Sequence, residues 1–409
     1  MMTATPKPEV NLVSPENLLN PNPLYHHLQE SDPVHWAEPL QSWFVTRHDD
    51  VTACFRDARL SADRSRLFYE HQLRGVGLDK VKDQMAVAER QMLMKDGPAH
   101  TRLRRNANPG FSAQVMEGWR ADVRRTAEQL LELLKGRGHM DLAVEFAAQL
   151  PARVIMEFFA IPQEDREQFQ QWTLDNVRIF AGTIGDVQEA AVAANTAIQH
   201  LSRYLEGFVR ERRAKPGRDM LSVMVNAEEE GRLDEKEVIA NAILITTAGH
   251  ITTVDQISNG MHALLTHPEQ LRRLQQEPGL MKSAVEEVLR YSPSVPFMHR
   301  IATEDFELRG RTIHKGQVVF LGMAAANRDA SVFPEPDTFD ISRPPGKHLS
   351  FAFGPHMCLG ASLARLELET AFELLLQRLP QLRLDDEQPA RIKCNSLVFR
   401  GFDSLPVRW

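Results

Sequence analysis

The stretch Phe351-Ala352-Phe353-Gly354-Pro355-His356-Met357-Cys358-Leu359-Gly360 decides how the rest of the chain is read. It sets Cys358 at the end of a Gly/Pro-containing loop, and a helical pattern begins directly after it at Ala361. A cysteine at a loop-to-helix junction has unpaired backbone N–H groups and the positive end of a helix dipole close to its sulfur. Both favour the thiolate, the form that binds metal. Gly354 permits a tight turn, and Gly360 leaves room for something flat to lie close. Phe351 and Phe353 can shield the sulfur from water. One thiolate without a partner Cys does not make a zinc or iron–sulfur site, but it can be the single axial ligand of a haem. The bland alternative is a buried free Cys after a turn, since free Cys is among the most buried residue types.

The 409 residues are 43% hydrophobic and 25% charged, an ordinary globular composition with ample core. Length alone suggests two or three domains. A net charge of −7 gives no reason to invoke nucleic acid. Cys54, Cys358 and Cys394 are far apart and odd in number, which argues against a disulfide framework and fits a reducing cytoplasm. Residues 1–10 are polar and Pro-containing, so neither a signal peptide nor a membrane anchor is expected. The longest apolar run, 238–248, is interrupted by Asn241, Thr246 and Thr247 and reads as a buried core helix.

In chain order, residues 1–23 are Pro- and Asn-rich and expected to be irregular. A helix is predicted over 24–30, strands over 34–36 and 42–46, and a helix over 49–58 with Asp49 or Asp50 as N-cap. Residues 59–95 show no clear period. Helical patterns follow over 96–105, 114–135, 146–159, 163–180 and 187–213, with a turn at Gly182 and Gly185. After a short helix over 220–230, Asp234 opens the longest pattern, which runs to about 265. Further helices are predicted over 280–291 and from Cys358 to Arg378, with strands over 306–308 and 317–321.

Three constellations on these elements carry chemistry. His100 and Arg104 are one turn apart on the 96–105 helix and suit an anion; a solvated basic helix end is the alternative. Inside the longest helix, Ala248-Gly249-His250-Ile251-Thr252-Thr253 combines Gly with Thr hydroxyls that can compete for backbone carbonyls. That predicts a local kink with room for a small ligand, or else a Gly/Thr packing seam. Glu287 and Arg290 share a helix face, as do many surface pairs of little energetic weight.

Together, in this order, these motifs resemble the cytochrome P450 family. The Cys358 loop is similar to its haem-binding loop, with Phe351, Gly354, His356, Leu359 and Gly360 in matching roles; Ala352 departs mildly. The resemblance implies one mainly α domain over 1–409 with a small β-rich part. Haem b would lie between the long central helix and the Cys358 loop. His100, Arg104, Arg300 and His356 would hold its propionates. Ala248 and Gly249 would form the oxygen groove, and the Thr252 hydroxyl would attend the dioxygen. Glu287, Arg290 and Arg343 would be structural, and the helices on either side of the Gly182–Gly185 turn would be a lid. Leu244, Val295, Phe297 and Leu397 are expected to line the substrate space. The implied activity is monooxygenation of a C–H bond in a small apolar or secondary-metabolite substrate, free or carrier-protein-bound. Electrons would come from ferredoxin and ferredoxin reductase, and the enzyme would be a cytoplasmic monomer. The sharp departure is Ile251, which stands where the family has an acid and does not relay protons. It keeps open a peroxide-driven, desaturating, ring-forming or isomerising enzyme, and more remotely a non-catalytic haem sensor.

Overall fold

The longest apolar pattern becomes the central helix, Glu235–Thr266. Asp234 caps it: its carboxylate accepts from the Glu237 N–H, while the Glu237 side chain accepts from the Asp234 N–H. Its buried residues occur on all sides rather than along one stripe, the pattern of a helix at the centre of a domain. Among the described residues it is the one helix long and apolar enough to cross a membrane, and 67% of that window is buried inside the protein. The computed structural model describes residues 10–64, 76–179, 187–344, 346–394, 396 and 398–409. The expected turn at Gly182 and Gly185 and the candidate Leu397 lie outside the described residues.

Helices Ala113–Leu133, Gln149–Phe158, Arg166–Arg178, Val187–Ala214, Met220–Glu229, Met281–Tyr291 and Ala361–Arg378 share one apolar core with the central helix. The helix runs through Gly249 without a break. Gly249 serves packing, since a Cβ at that position would lie 2.7 Å from Ile155 Cδ1 on the Gln149–Phe158 helix. At Gly260 a Cβ would collide with Phe372 of the Ala361–Arg378 helix, so that crossing also depends on glycine.

A five-stranded sheet flanks the helical body, in the order Val34–Ala37, Ser42–Val45, Val318–Leu321, Met298–Ala302, Leu60–Ser61. All its pairings are antiparallel except Ser42–Val45 with Val318–Leu321. It pairs Ser61 with Ile301, setting the segment after Ser61 beside Arg300.

Two expectations are corrected. Within the stretch expected to be irregular, Pro15–Leu19 forms a short helix capped by the Ser14 side chain. The helix expected over 49–58 spans His48–Cys54, and Arg47 stands at its N-cap. Asp49 and Asp50 are drawn to Arg309 instead, at 3.0 and 2.5 Å. The aperiodic 59–95 stretch is not one element: its described part holds a short strand, the Lys82–Ala88 helix and two 3-10 turns.

Behind the Cys358 loop, the Glu287 carboxylate accepts from Arg290 Nε at 2.7 Å and Nη2 at 2.8 Å, with Arg343 Nε 3.3 Å away. Arg290 also donates to the carbonyls of Asn327, Pro336 and Thr338. A guanidinium this well partnered is tolerated in the core because its donors are satisfied, and it ties three segments together.

Candidate active site

The Cys358 loop is held from within and from below. The Cys358 N–H donates to the Phe351 carbonyl at 2.8 Å, and Met357 N–H to Gly354 O at 3.1 Å. Gly354 has φ +74, and a Cβ there would lie 3.1 Å from the Phe55 carbonyl. Ala352 has φ +59, which for an L-residue costs ~1 kcal/mol. The mild departure seen in the sequence therefore sits at a strained position. The Phe351 ring carries the Arg365 guanidinium 4.5 Å from its centroid, and Phe353 carries Arg56 at 4.3 Å.

Cys358 is solvent-accessible, yet enough protein surrounds it that burial pushes its thiol up. The two facts agree if the sulfur faces an open space inside the protein. The Gly360 N–H, Arg104 and Arg365 pull the other way, toward the thiolate. Gly360 borders the same opening: a Cβ on it would meet nothing closer than Phe111 Cε1, at 3.9 Å.

A second opening lies on the central helix. Ala248 is exposed although the residues around it on the helix are mostly buried. Thr252 Oγ1 donates back to Ala248 O at 3.1 Å. His250 points elsewhere; its Nδ1 bonds Thr246 O at 2.9 Å and its ring is buried. Ile251 is half-buried. Asp255, one turn on, is fully buried and bound by Lys393 Nζ at 2.5 Å, with its other oxygen unpartnered. Burial raises its pKa, and the ammonium only partly opposes this.

Basic side chains gather on one flank. His100 and His356 lie with ring centroids 3.9 Å apart, and His100 Nε2 is buried without a partner. Burial, then His356 and Arg104, push His100 down to about 4. Arg300 is 3% exposed and is pushed down to about 10 by burial. Asp96 accepts from Ser61 Oγ and from Ala62 N at 3.0 Å, with His356 Nε2 at 3.8 Å. The result is a buried positive cluster short of anions.

Of the expected substrate-lining residues, Leu244 packs against the main core and Val295 against the sheet. Phe297 lies between Phe44 and Phe320, at 6.3 and 4.9 Å, and lines a cleft with Leu12, Tyr25 and Phe399. Sequence reasoning missed two groups. Arg64 is 4% exposed and belongs to the basic cluster. Glu367, on the helix after Cys358, is 1% exposed with neither oxygen partnered, and burial drives its pKa far up. Neither has a local signal, because unpartnered burial is a tertiary property.

These features fit a flat, dianionic iron porphyrin: an exposed lone cysteine, an uncrowded glycine beside it, and cations gathered at one edge. Comparison with known proteins agrees. The family model for cytochrome P450 matches residues 70–401. The chain is 37% identical over 397 residues to the polyketide biosynthesis cytochrome P450 PksS of Bacillus subtilis, covering 95% of each. It is 36% identical to the mycinamicin IV hydroxylase/epoxidase of Micromonospora griseorubida, covering 94% of each. The solved structure of P450BioI in complex with hexadec-9Z-enoic acid ligated acyl carrier protein superposes with TM-score 0.89 at 35% identity, over 97% of this chain and 100% of that one. The chain belongs to the cytochrome P450 family. It is an oxidoreductase that incorporates oxygen, and its cofactor is haem b.

Proposed function

We propose that this chain is a monooxygenase in which Cys358 ligates the haem iron and Thr252 manages the proton needed to activate dioxygen. The observation that carries this is Cys358 itself, exposed as a residue yet surrounded by enough protein that burial raises its thiol. When bound, the haem supplies dioxygen activation. The protein's residues do the rest. Gly360 N–H and Arg104 stabilise the thiolate. Phe351 and Phe353 screen it from water. His100, Arg104, Arg300 and His356 would hold the propionates. The Thr252 hydroxyl, now resting on Ala248 O, is free to reorient toward a ligand beside Ala248.

Electrons are supplied by a cytoplasmic ferredoxin and its reductase at the Cys358 face. The substrate is a small apolar or secondary-metabolite molecule. The relative named for polyketide biosynthesis and the acyl-carrier-protein complex of P450BioI support a carrier-bound acyl chain as one form of it. The test is turnover of a metabolite library with ferredoxin, reductase and NADPH under labelled dioxygen. One labelled oxygen atom in the product supports the reading; unlabelled product or none contradicts it.

A second reading is favoured by Ile251 and by Asp255, whose carboxylate is tied to Lys393 rather than free to replace the missing acid. In that reading proton delivery depends on substrate, or the oxidant is peroxide. Product formed with peroxide but not with ferredoxin selects it.

A further inference from the structure

We infer that Arg64 is a further anchor for the carboxylates of the haem, completing their neutralisation alongside Arg104 and Arg300. This rests on the proposal above that the propionates lie at the His100–Arg300 cluster. Arg64 is 4% exposed, its Nη1 donates to Ala62 O at 3.0 Å, and its Nε is buried with no partner. A buried guanidinium with an idle donor is costly unless an acceptor arrives. Its position is fixed by two constraints. Ser61 is held in the sheet opposite Ile301, and Asp96 clasps Ser61 and Ala62. Asp96 also heads the helix Gly97–Ala107 that carries His100 and Arg104. The clasp thus brings the Arg64 segment to the start of that helix.

The surrounding charges point the same way. The Arg64 guanidinium is close enough to that of Arg300 to be repelled by it, and the carboxylates that act on it, Asp96 and Asp63, are both exposed. Both Arg64 and Arg300 are pushed down by burial, Arg64 to about 9, as expected for guanidiniums still waiting for an anion.

The test compares haem with haem dimethyl ester, whose two carboxylates are neutralised. Wild type, Arg64→Met and Arg64→Lys are loaded with each, and transfer to excess apomyoglobin is timed. Arg64→Met is expected to lose haem roughly tenfold faster than wild type, the size of one charge-assisted hydrogen bond. Arg64→Lys, which keeps the charge, should fall between them. With the dimethyl ester all three should release at similar rates, which also shows that the variants are folded. If Arg64→Met releases haem no faster than wild type, or faster by the same factor with the ester, Arg64 is not an anchor. If wild type holds the ester as tightly as haem, the underlying placement of the propionates is wrong.

Discussion

His100 and His356 lie with ring centroids 3.9 Å apart and planes tilted by 35°, so either ring gains a proton only against the other. Both are held below the usual imidazole range, chiefly by burial, with His100 at about 4. A lowered folded pKa means that the unfolded chain binds protons first as pH falls. Stability of the haem-free protein should therefore be full above about 6.5 and decline toward about 4. Bound propionates would favour the protonated rings, so the loaded protein should decline less. Urea midpoints of both forms across that window check this; a steeper decline in the loaded form would count against anions at this site.

Gly354→Ala should destabilise the protein by about 1–2 kcal/mol, because an L-residue resists the left-handed backbone. The added Cβ would also press on Phe55 O. Denaturant unfolding, with haem content per chain measured alongside, checks it. Unchanged stability would mean the loop relaxes without cost.

Lys393→Met strands the fully buried Asp255 carboxylate, at a cost of about 3–5 kcal/mol near neutral pH. Asp255 already has a raised folded pKa, and losing the ammonium raises it further. The folded state then takes up the proton first, so the deficit should shrink as pH falls. The double variant Asp255→Asn with Lys393→Met should recover most of the loss. Urea midpoints at acid and neutral pH measure both effects.

Thr252→Ala should lower product per NAD(P)H consumed by roughly tenfold or more, the lower range of general acid–base effects, while consumption continues. Ile251→Glu should raise that ratio or change the product. Parallel assays of cofactor consumption and product give both numbers; unaltered coupling in the Ile251 variant would show that the missing acid is not limiting.

The Cys358 loop was legible because several residue types must coincide there, each with a local reason: Gly354 for its φ, Gly360 for clearance, Cys358 for its place before a helix. The central helix was legible from Asp234 to its end for the same reason. What stayed hidden depends on residues far apart in the chain. Asp49 and Asp50 look like caps until Arg309, some 260 residues on, claims them. The packing role of Gly249 stays hidden until Ile155 is seen to need the space. Arg64 looks like any basic residue in an aperiodic stretch until burial and the Asp96 clasp reveal its position. Asp255 has the same difficulty, since its partner Lys393 is 138 residues away.

The central claim is that one sulfur holds the iron. The most direct measurement is the absorption spectrum of the reduced, carbon-monoxide-bound protein, for wild type and Cys358→Ser purified with haem. The strongly red-shifted Soret band of haem-thiolate should be present in wild type and absent from Cys358→Ser. Its absence from haem-loaded wild type, or its survival in Cys358→Ser, would contradict the account.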